Sequence, residues 1–154
     1  MDAPGIATAL AAAKARAVAA ESPGSTVIGA DQILECEGEI LHQLDDMAAA
    51  AERLRALRGR THQLHAGLAL ARDGRLLWSQ VESASLRMRD FSEEELETTL
   101  ALEGELVLSS VGCYRLEGPS IRLFDRLEGD YFAILGLPML PLLAALRQHA
   151  PELL

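Results

Sequence analysis

The sequence predicts an α/β or α+β domain, with helices packed on a mixed β-sheet, and three observations predict it. Helix-like and strand-like stretches alternate as helix, strand, helix, hairpin, helix, strands, helix. The chain is 49% hydrophobic but only 4% aromatic, and its apolar share is largely Ala and Leu, which favours helices on a sheet over an aromatic-rich sandwich. Asp73-Gly74 sits between two long alternating runs, a strong hairpin signal. At 154 residues, the simplest organisation is one domain over residues 1–154, large enough for a real core.

The first helix is predicted over Pro4 to Glu21. Proline suits a first-turn position and the Ala-rich run has high helix propensity. Ile6, Leu10, Ala13 and Ala17 fall on one stripe, with Lys14 and Arg16 near its edge. Ser22-Pro23-Gly24-Ser25 ends it. Thr26 to Leu34 then reads as a buried strand, rich in β-branched residues, with Asp31 in its middle. An ionised carboxylate is costly to bury without a partner. Asp31 therefore either caps a local turn or is held for chemistry. Glu35 to Glu39 reads as a tight turn, after which Ile40-Leu41 pairs back.

Asp45 or Asp46 caps a second helix running to about Arg58. Its apolar face is Ala49, Leu54 and Leu57, and Gly59 sits at the C′ position. Arg53, Arg55, Arg58 and Arg60 lie near its end, where cations suit the dipole, mostly as solvated face. Thr61 to Arg72 and Arg75 to Met88 form the hairpin. Ser92 and Glu95 make a capping box for a helix to about Leu102, closed by Gly104. Leu106-Val107-Leu108 reads as extended, Gly112 to Pro119 as a strand or loop with tight turns, and Ile121 to Leu127 and Tyr131 to Leu135 as strands. A last helix spans Met139 to His149, with Leu140, Leu143, Ala144 and Leu146 facing inward.

A net charge of −9 argues against a general nucleic-acid or membrane-surface binder, whose footprints are basic. It leaves room for a local cationic pocket holding a phosphorylated small molecule. Lys14 is the one lysine. Cys36 and Cys113 are too few and too far apart for a zinc or redox motif, and read as free thiols in a reducing compartment. There is no signal-peptide pattern and no apolar run of about 18 residues or more, so the expected location is cytoplasmic.

Asp31, Glu117, Glu128 and Asp130 are the acidic candidates, suited to magnesium or manganese bridged to substrate phosphates. Gln32, Ser109, Ser110, Tyr114 and Arg115 are polar candidates. His42, His62, His65 and His149 lack metal-ligand spacing; His62 and His65 are three apart on a strand and face opposite sides. No P-loop, nucleophile elbow or Rossmann fingerprint is present.

An ordered set of segments resembles the Maf family of nucleoside triphosphate pyrophosphatases: Ala-Lys14-Ala-Arg, Gly-Ala-Asp31-Gln32, Leu-Arg-Ala-Leu-Arg-Gly-Arg-Thr-His62, Val-Gly-Cys-Tyr114-Arg-Leu-Glu117-Gly, Leu-Glu-Gly-Asp130-Tyr-Phe and Leu-Gly-Leu-Pro138. Together they span essentially the whole chain. The resemblance implies an elongated α/β fold with a mixed sheet flanked by helices, often dimeric, whose cleft holds a nucleoside triphosphate. It implies reaction at the α-phosphorus to give a monophosphate and pyrophosphate, with a divalent metal (Mg or Mn). The family's catalytic carboxylate falls on Asp31 as proton acceptor for water, and its phosphate-side lysine on Lys14. Gln32 and Glu117 fall on positions tied to base selection, and this Gln/Glu pair resembles the branch taking 7-methyl-GTP. An association with septum formation and cell division arrest comes with the family.

Three departures accompany the resemblance. A strand and a Ser-x-Ser-Pro-Arg-Arg-like phosphate loop usually precede the first helix; this sequence starts after them, with a truncated start and a true lack of the loop as the two alternatives. Gln43 and Ser110 stand where many members carry lysine. Each loss removes positive charge, which motivates an alternative: a catalytically impaired protein that binds nucleotide or a partner.

Overall fold

A computed structural model describes residues 1–154. The helices are α1 (Ala3–Glu21), α2 (Met47–Leu57), α3 (Glu93–Glu103), α4 (Tyr131–Ile134) and α5 (Met139–His149). The strands are β1 (Thr26–Cys36), β2 (Glu39–Leu41), β3 (Thr61–Arg72), β4 (Arg75–Met88) and β5 (Phe124–Glu128), paired in the order β2-β1-β3-β4-β5. The α/β architecture with a sheet and flanking helices is as expected, but the pairing is antiparallel rather than mixed. β2 runs against β1 through Leu34↔Leu41, and β5 against β4 through Leu86↔Leu127. Between β1 and β3, Cys36 Sγ reaches Thr61 O while Thr26 Oγ1 accepts from Arg72, so one strand's start meets the other's end. Tight turns explain this: Glu37 and Gly38 join β1 to β2, and Asp73 and Gly74 join β3 to β4, all at positive φ. Such hairpin connections produce antiparallel neighbours.

The chain forms two compact units. The first comprises Met1–Ile33, Leu64–Ala84 and Gly129–Leu154; the second comprises Leu34–Gln63 and Ser85–Glu128.

In the first unit, strand alternation divides two apolar clusters. Ala11, Ala12, Ala15 and Ala19 of α1 pack with Ala69, Ala71 and Val27. Leu68 and Leu70, on the alternate positions of β3, pack with Leu142, Ala145 and Leu146 of α5. The buried stripe of α1 is Ala3, Ala7, Ala11, Ala12, Ala15 and Ala19, not Ile6, Leu10, Ala13 and Ala17; Leu10 is 41% exposed. The reason lies in the strands. A Cβ on Gly29 would sit 2.3 Å from Ala11 O, and one on Gly67 would sit 2.3 Å from Ala7 O. The helix backbone rests directly on two strand glycines, so nothing larger than alanine fits beneath it. β1 is correspondingly half-buried rather than buried, with Ile28 46% exposed.

Tyr131 to Leu135 is a short helix, not a strand. The Asp130 side chain accepts from Phe132 N at 3.2 Å, and Leu135 N donates to Tyr131 O, so local capping overrides aromatic strand propensity. α5 has the expected bounds but buries Leu142, Ala145 and Leu146, leaving Leu140 69% exposed.

In the second unit, Asp46 caps α2 and accepts from Ala49 N at 2.8 Å, and Gly59 takes φ +70. Ala50, Leu54 and Leu57 are its buried face. The four arginines are not merely solvated. Arg53 donates to Val111 O and His42 O, Arg55 and Arg58 share Glu93, and Arg60 pairs with Glu37. The capping box of α3 is complete in both directions. Leu106-Val107-Leu108 lies in a 3-10 helix over Gly104–Ser109, where Ser110 N donates to Val107 O; only Val107 is buried, too little apolar periodicity to hold a strand. Pro119–Leu123 forms another 3-10 turn, which delays the expected strand to Phe124.

Candidate active site

Asp31 lies on the α1 face of β1, two residues beyond Gly29. The close approach that excludes a side chain at Gly29 brings α1 within reach of the carboxylate. Lys14, one residue before the Ala15 that touches Gly29, pairs its Nζ with Asp31 Oδ1. The Asp31 side chain is 14% exposed and that of Lys14 57%. The chain's one lysine thus meets the one carboxylate within the opening strand's core stretch. Asp31 Oδ2 makes no hydrogen bond to the protein among those observed, and the ammonium keeps two donors free.

Gln32 reaches the opposite face of β1, as strand alternation requires. Its Nε2 donates to Ala133 O at 3.1 Å and Ile134 O at 2.9 Å, satisfying carbonyls at the end of α4. Its Oε1 stays available as an acceptor. Two neighbours in sequence are therefore separated in space, with the carboxylate on one face and the amide on the other.

Glu117 belongs to the second unit. Its Oε1 accepts from Arg115 Nε at 3.2 Å, and its side chain is 47% exposed. The loop carrying it is anchored by Tyr114, whose hydroxyl lies 2.7 Å from His62 Nε2 in a cluster with Phe124. Burial holds His62 at about 4, well below the usual imidazole value, and pushes the Tyr114 phenol up. The ring is neutral and structural at physiological pH. His65 instead meets Ser83 Oγ at 2.7 Å. Neither histidine joins a metal cluster, and no three His, Cys, Asp or Glu side chains gather anywhere in a metal-binding group. The fold therefore builds no protein-only metal cage. Magnesium typically takes one or two carboxylates and the substrate's own phosphates, and Asp31 is the carboxylate these residues offer.

Gln43, at a position of expected positive charge, donates its amide to Leu108 O at 2.9 Å. Ser110 donates its N–H to Val107 O. Glu128 pairs with Arg126 and Asp130 caps α4, so both are accounted for locally. Cys36 and Cys113 are free and buried, with burial raising both thiols. The sequence reading missed the buried Glu103 and its link to Arg115. The available signal was an acidic residue at a helix C-terminus, next to Gly104, where a carboxylate is unfavourable.

A strand-borne carboxylate is thus paired with the lysine of a closely docked helix. A family profile described as Maf-like protein matches residues 1–149, and the chain belongs to the Maf family. Among curated proteins it is similar to a nucleoside triphosphate pyrophosphatase of Granulibacter bethesdensis, 54% identical over 93% of this chain and 73% of the relative. A second relative of that name, from Nitrobacter winogradskyi, is 55% identical over 94% of this chain and 71% of its own length. A 7-methyl-GTP pyrophosphatase of Rhizobium etli is 50% identical over 93% of this chain and 72% of its own length. No helix is long and apolar enough to cross a membrane.

Proposed function

We propose that this chain hydrolyses a nucleoside 5′-triphosphate, with a methylated guanine nucleotide such as 7-methyl-GTP as the favoured class, to a monophosphate and pyrophosphate. The observation that carries this is the Lys14–Asp31 pair on the α1 face of β1, together with relatives named for that reaction.

Asp31 Oδ2 accepts a proton from water, which is a poor nucleophile until that proton is drawn off. The hydroxide attacks the α-phosphorus, and pyrophosphate leaves. Lys14 has two roles. Its pairing with Oδ1 offsets a negative charge beside incoming phosphates, and its free donors bind phosphate oxygens as charge develops. A divalent ion arriving with the phosphates would supply further charge neutralisation. Gln32, on the face of β1 opposite Asp31, holds the end of α4 through its amide donors. Glu117 accepts from the donor edge of guanine; a base that leaves buried polar groups unpaired is strongly penalised.

A second reading is a nucleotide- or partner-binding protein with little turnover. Gln43 and Ser110 motivate it, since both are neutral and occupied by backbone groups or turn formation. One assay separates the two. The purified chain is incubated with 7-methyl-GTP, GTP, dTTP and UTP plus magnesium or manganese, and pyrophosphate release is measured. Hydrolysis reduced by about 10² to 10⁴ in Asp31→Asn supports the enzyme. Nucleotide binding with no release above that variant supports the binder. A homodimer in the cytoplasm belongs to this proposal on family grounds; a monomer by sedimentation would remove the dimer from it. So does a role in cell division arrest, which arrest by overexpressed Asp31→Asn would uncouple from hydrolysis.

A further inference from the structure

We infer that Glu103 and Arg115 form an internal clamp that positions Glu117 for base selection, an inference that rests on the proposed role of Glu117. All three residues lie in the second unit. Glu103 is the last residue of α3, at the helix end whose dipole disfavours an anion. Its side chain is 0% exposed, yet Oε2 has only a 3.5 Å contact to Arg115 Nη1 and Oε1 has no hydrogen-bond partner. A buried carboxylate with so few partners stabilises a fold poorly. What it does is shape the loop. A Cβ at Gly118 would lie 2.4 Å from Glu103 Oε1, so the residue after Glu117 passes directly over the carboxylate. Gly118 N donates to Arg115 O at 3.1 Å, closing a turn over the carboxylate. From that turn Arg115 extends Nη1 to Glu103 and Nε to Glu117 Oε1 at 3.2 Å.

Two consequences follow. Arg115 occupies Glu117 Oε1, which fixes the carboxylate and leaves Oε2 for a ligand. Two carboxylates on one guanidinium leave one negative charge, so the clamp favours a base edge with adjacent N–H donors and a base bearing positive charge. N7-alkylated guanine has both. A uracil or thymine edge presents carbonyl oxygens on either side of its single N–H and meets repulsion. Glu103 and Arg115 act through Glu117 and are positioning residues.

The test measures binding of 7-methyl-GMP and UMP by calorimetry, using products so that turnover plays no part. Each variant is also melted. Glu117→Gln and Arg115→Met are expected to lower the preference for 7-methyl-GMP over UMP by tenfold or more, and Glu103→Gln by about threefold. A merely structural role would weaken both ligands alike and leave the ratio unchanged. Arg115→Lys keeps the cation but loses the fork that spans two carboxylates, so it should not restore the ratio; full restoration would overturn positioning. An unchanged ratio in Arg115→Met, with a reduced one in Glu117→Gln, overturns the clamp and leaves the role of Glu117 standing. An unchanged ratio in Glu117→Gln, or a parent chain that binds neither nucleotide, overturns both. If Arg115→Met does not fold, the near-isosteric Glu103→Gln decides, and an unchanged ratio there overturns the clamp.

Discussion

Replacing Gly29 by alanine is expected to damage stability and the site together, because the same close approach supports both. The added Cβ would lie 2.3 Å from Ala11 O, 2.8 Å from Ala15 Cβ and 2.9 Å from Ala15 N. Two of these are backbone atoms of α1, so no side-chain rotation relieves the clash. Ordinary non-bonded contact begins near 3.5 Å, so the helix must move away by about 1 Å. Overpacking of this kind costs about 1–3 kcal/mol. For a chain of this size that corresponds to a Tm lower by roughly 2–12 °C. The displacement falls where Lys14 meets Asp31, so pyrophosphate release should drop by more than the unfolded fraction explains. Thermal melting and hydrolysis measured well below the Tm check this. A Tm within about 1 °C of the parent with unchanged hydrolysis would refute direct docking of α1 on β1. Gly38→Ala is the control. At φ +85 with open space around it, it should cost about 1–2 kcal/mol through backbone strain alone and leave hydrolysis unaltered.

Burial lowers His62 to about 4 in the fold, against about 6.5 when unfolded, so the unfolded chain takes up the proton first as pH falls. Its contribution is full above pH 6.5 and is lost as pH falls toward 4; urea midpoints should show about 2 kcal/mol lost between pH 7.5 and 5. His62→Gln should flatten that slope, and an identical slope in the variant would assign the effect elsewhere. Tyr114→Phe strands His62 Nε2 in a buried site and should cost about 1–3 kcal/mol by urea unfolding. Ser92→Ala removes one half of the α3 capping box and should cost about 1 kcal/mol by the same measurement. Chelating divalent ions should stop pyrophosphate release without moving the Tm, since no cluster of three ligands ties a metal to the fold; a lowered Tm would reveal a structural site.

The long elements were legible because their signals are local. The Ala-rich run of α1, the Ser92–Glu95 box, the Asp73-Gly74 turn and the C′ glycine after α2 act within a few residues of themselves, and all stand where the sequence places them. Asp31 was legible for a similar reason: a carboxylate in an apolar strand is a local anomaly. Short segments were not. Tyr131 to Leu135 and Leu106 to Leu108 carry strand-like residues, but a single cap or 3-10 bond decides such short stretches.

What the sequence by itself determined is the order of helices and hairpins, the lone lysine and the candidate carboxylate. Which face of α1 is buried, that Gly29 and Gly67 exist to admit it, and that Lys14 therefore meets Asp31 were decided by the tertiary structure. So were the opposite facings of Asp31 and Gln32 in their actual settings and the Glu103–Arg115–Glu117 clamp. The physical reason is that hydrophobic periodicity ranks faces by side-chain apolarity, whereas close packing ranks them by the space a partner leaves. Where two glycines remove that space, alanines win over leucine and isoleucine, and the charged residues beside them are brought into contact.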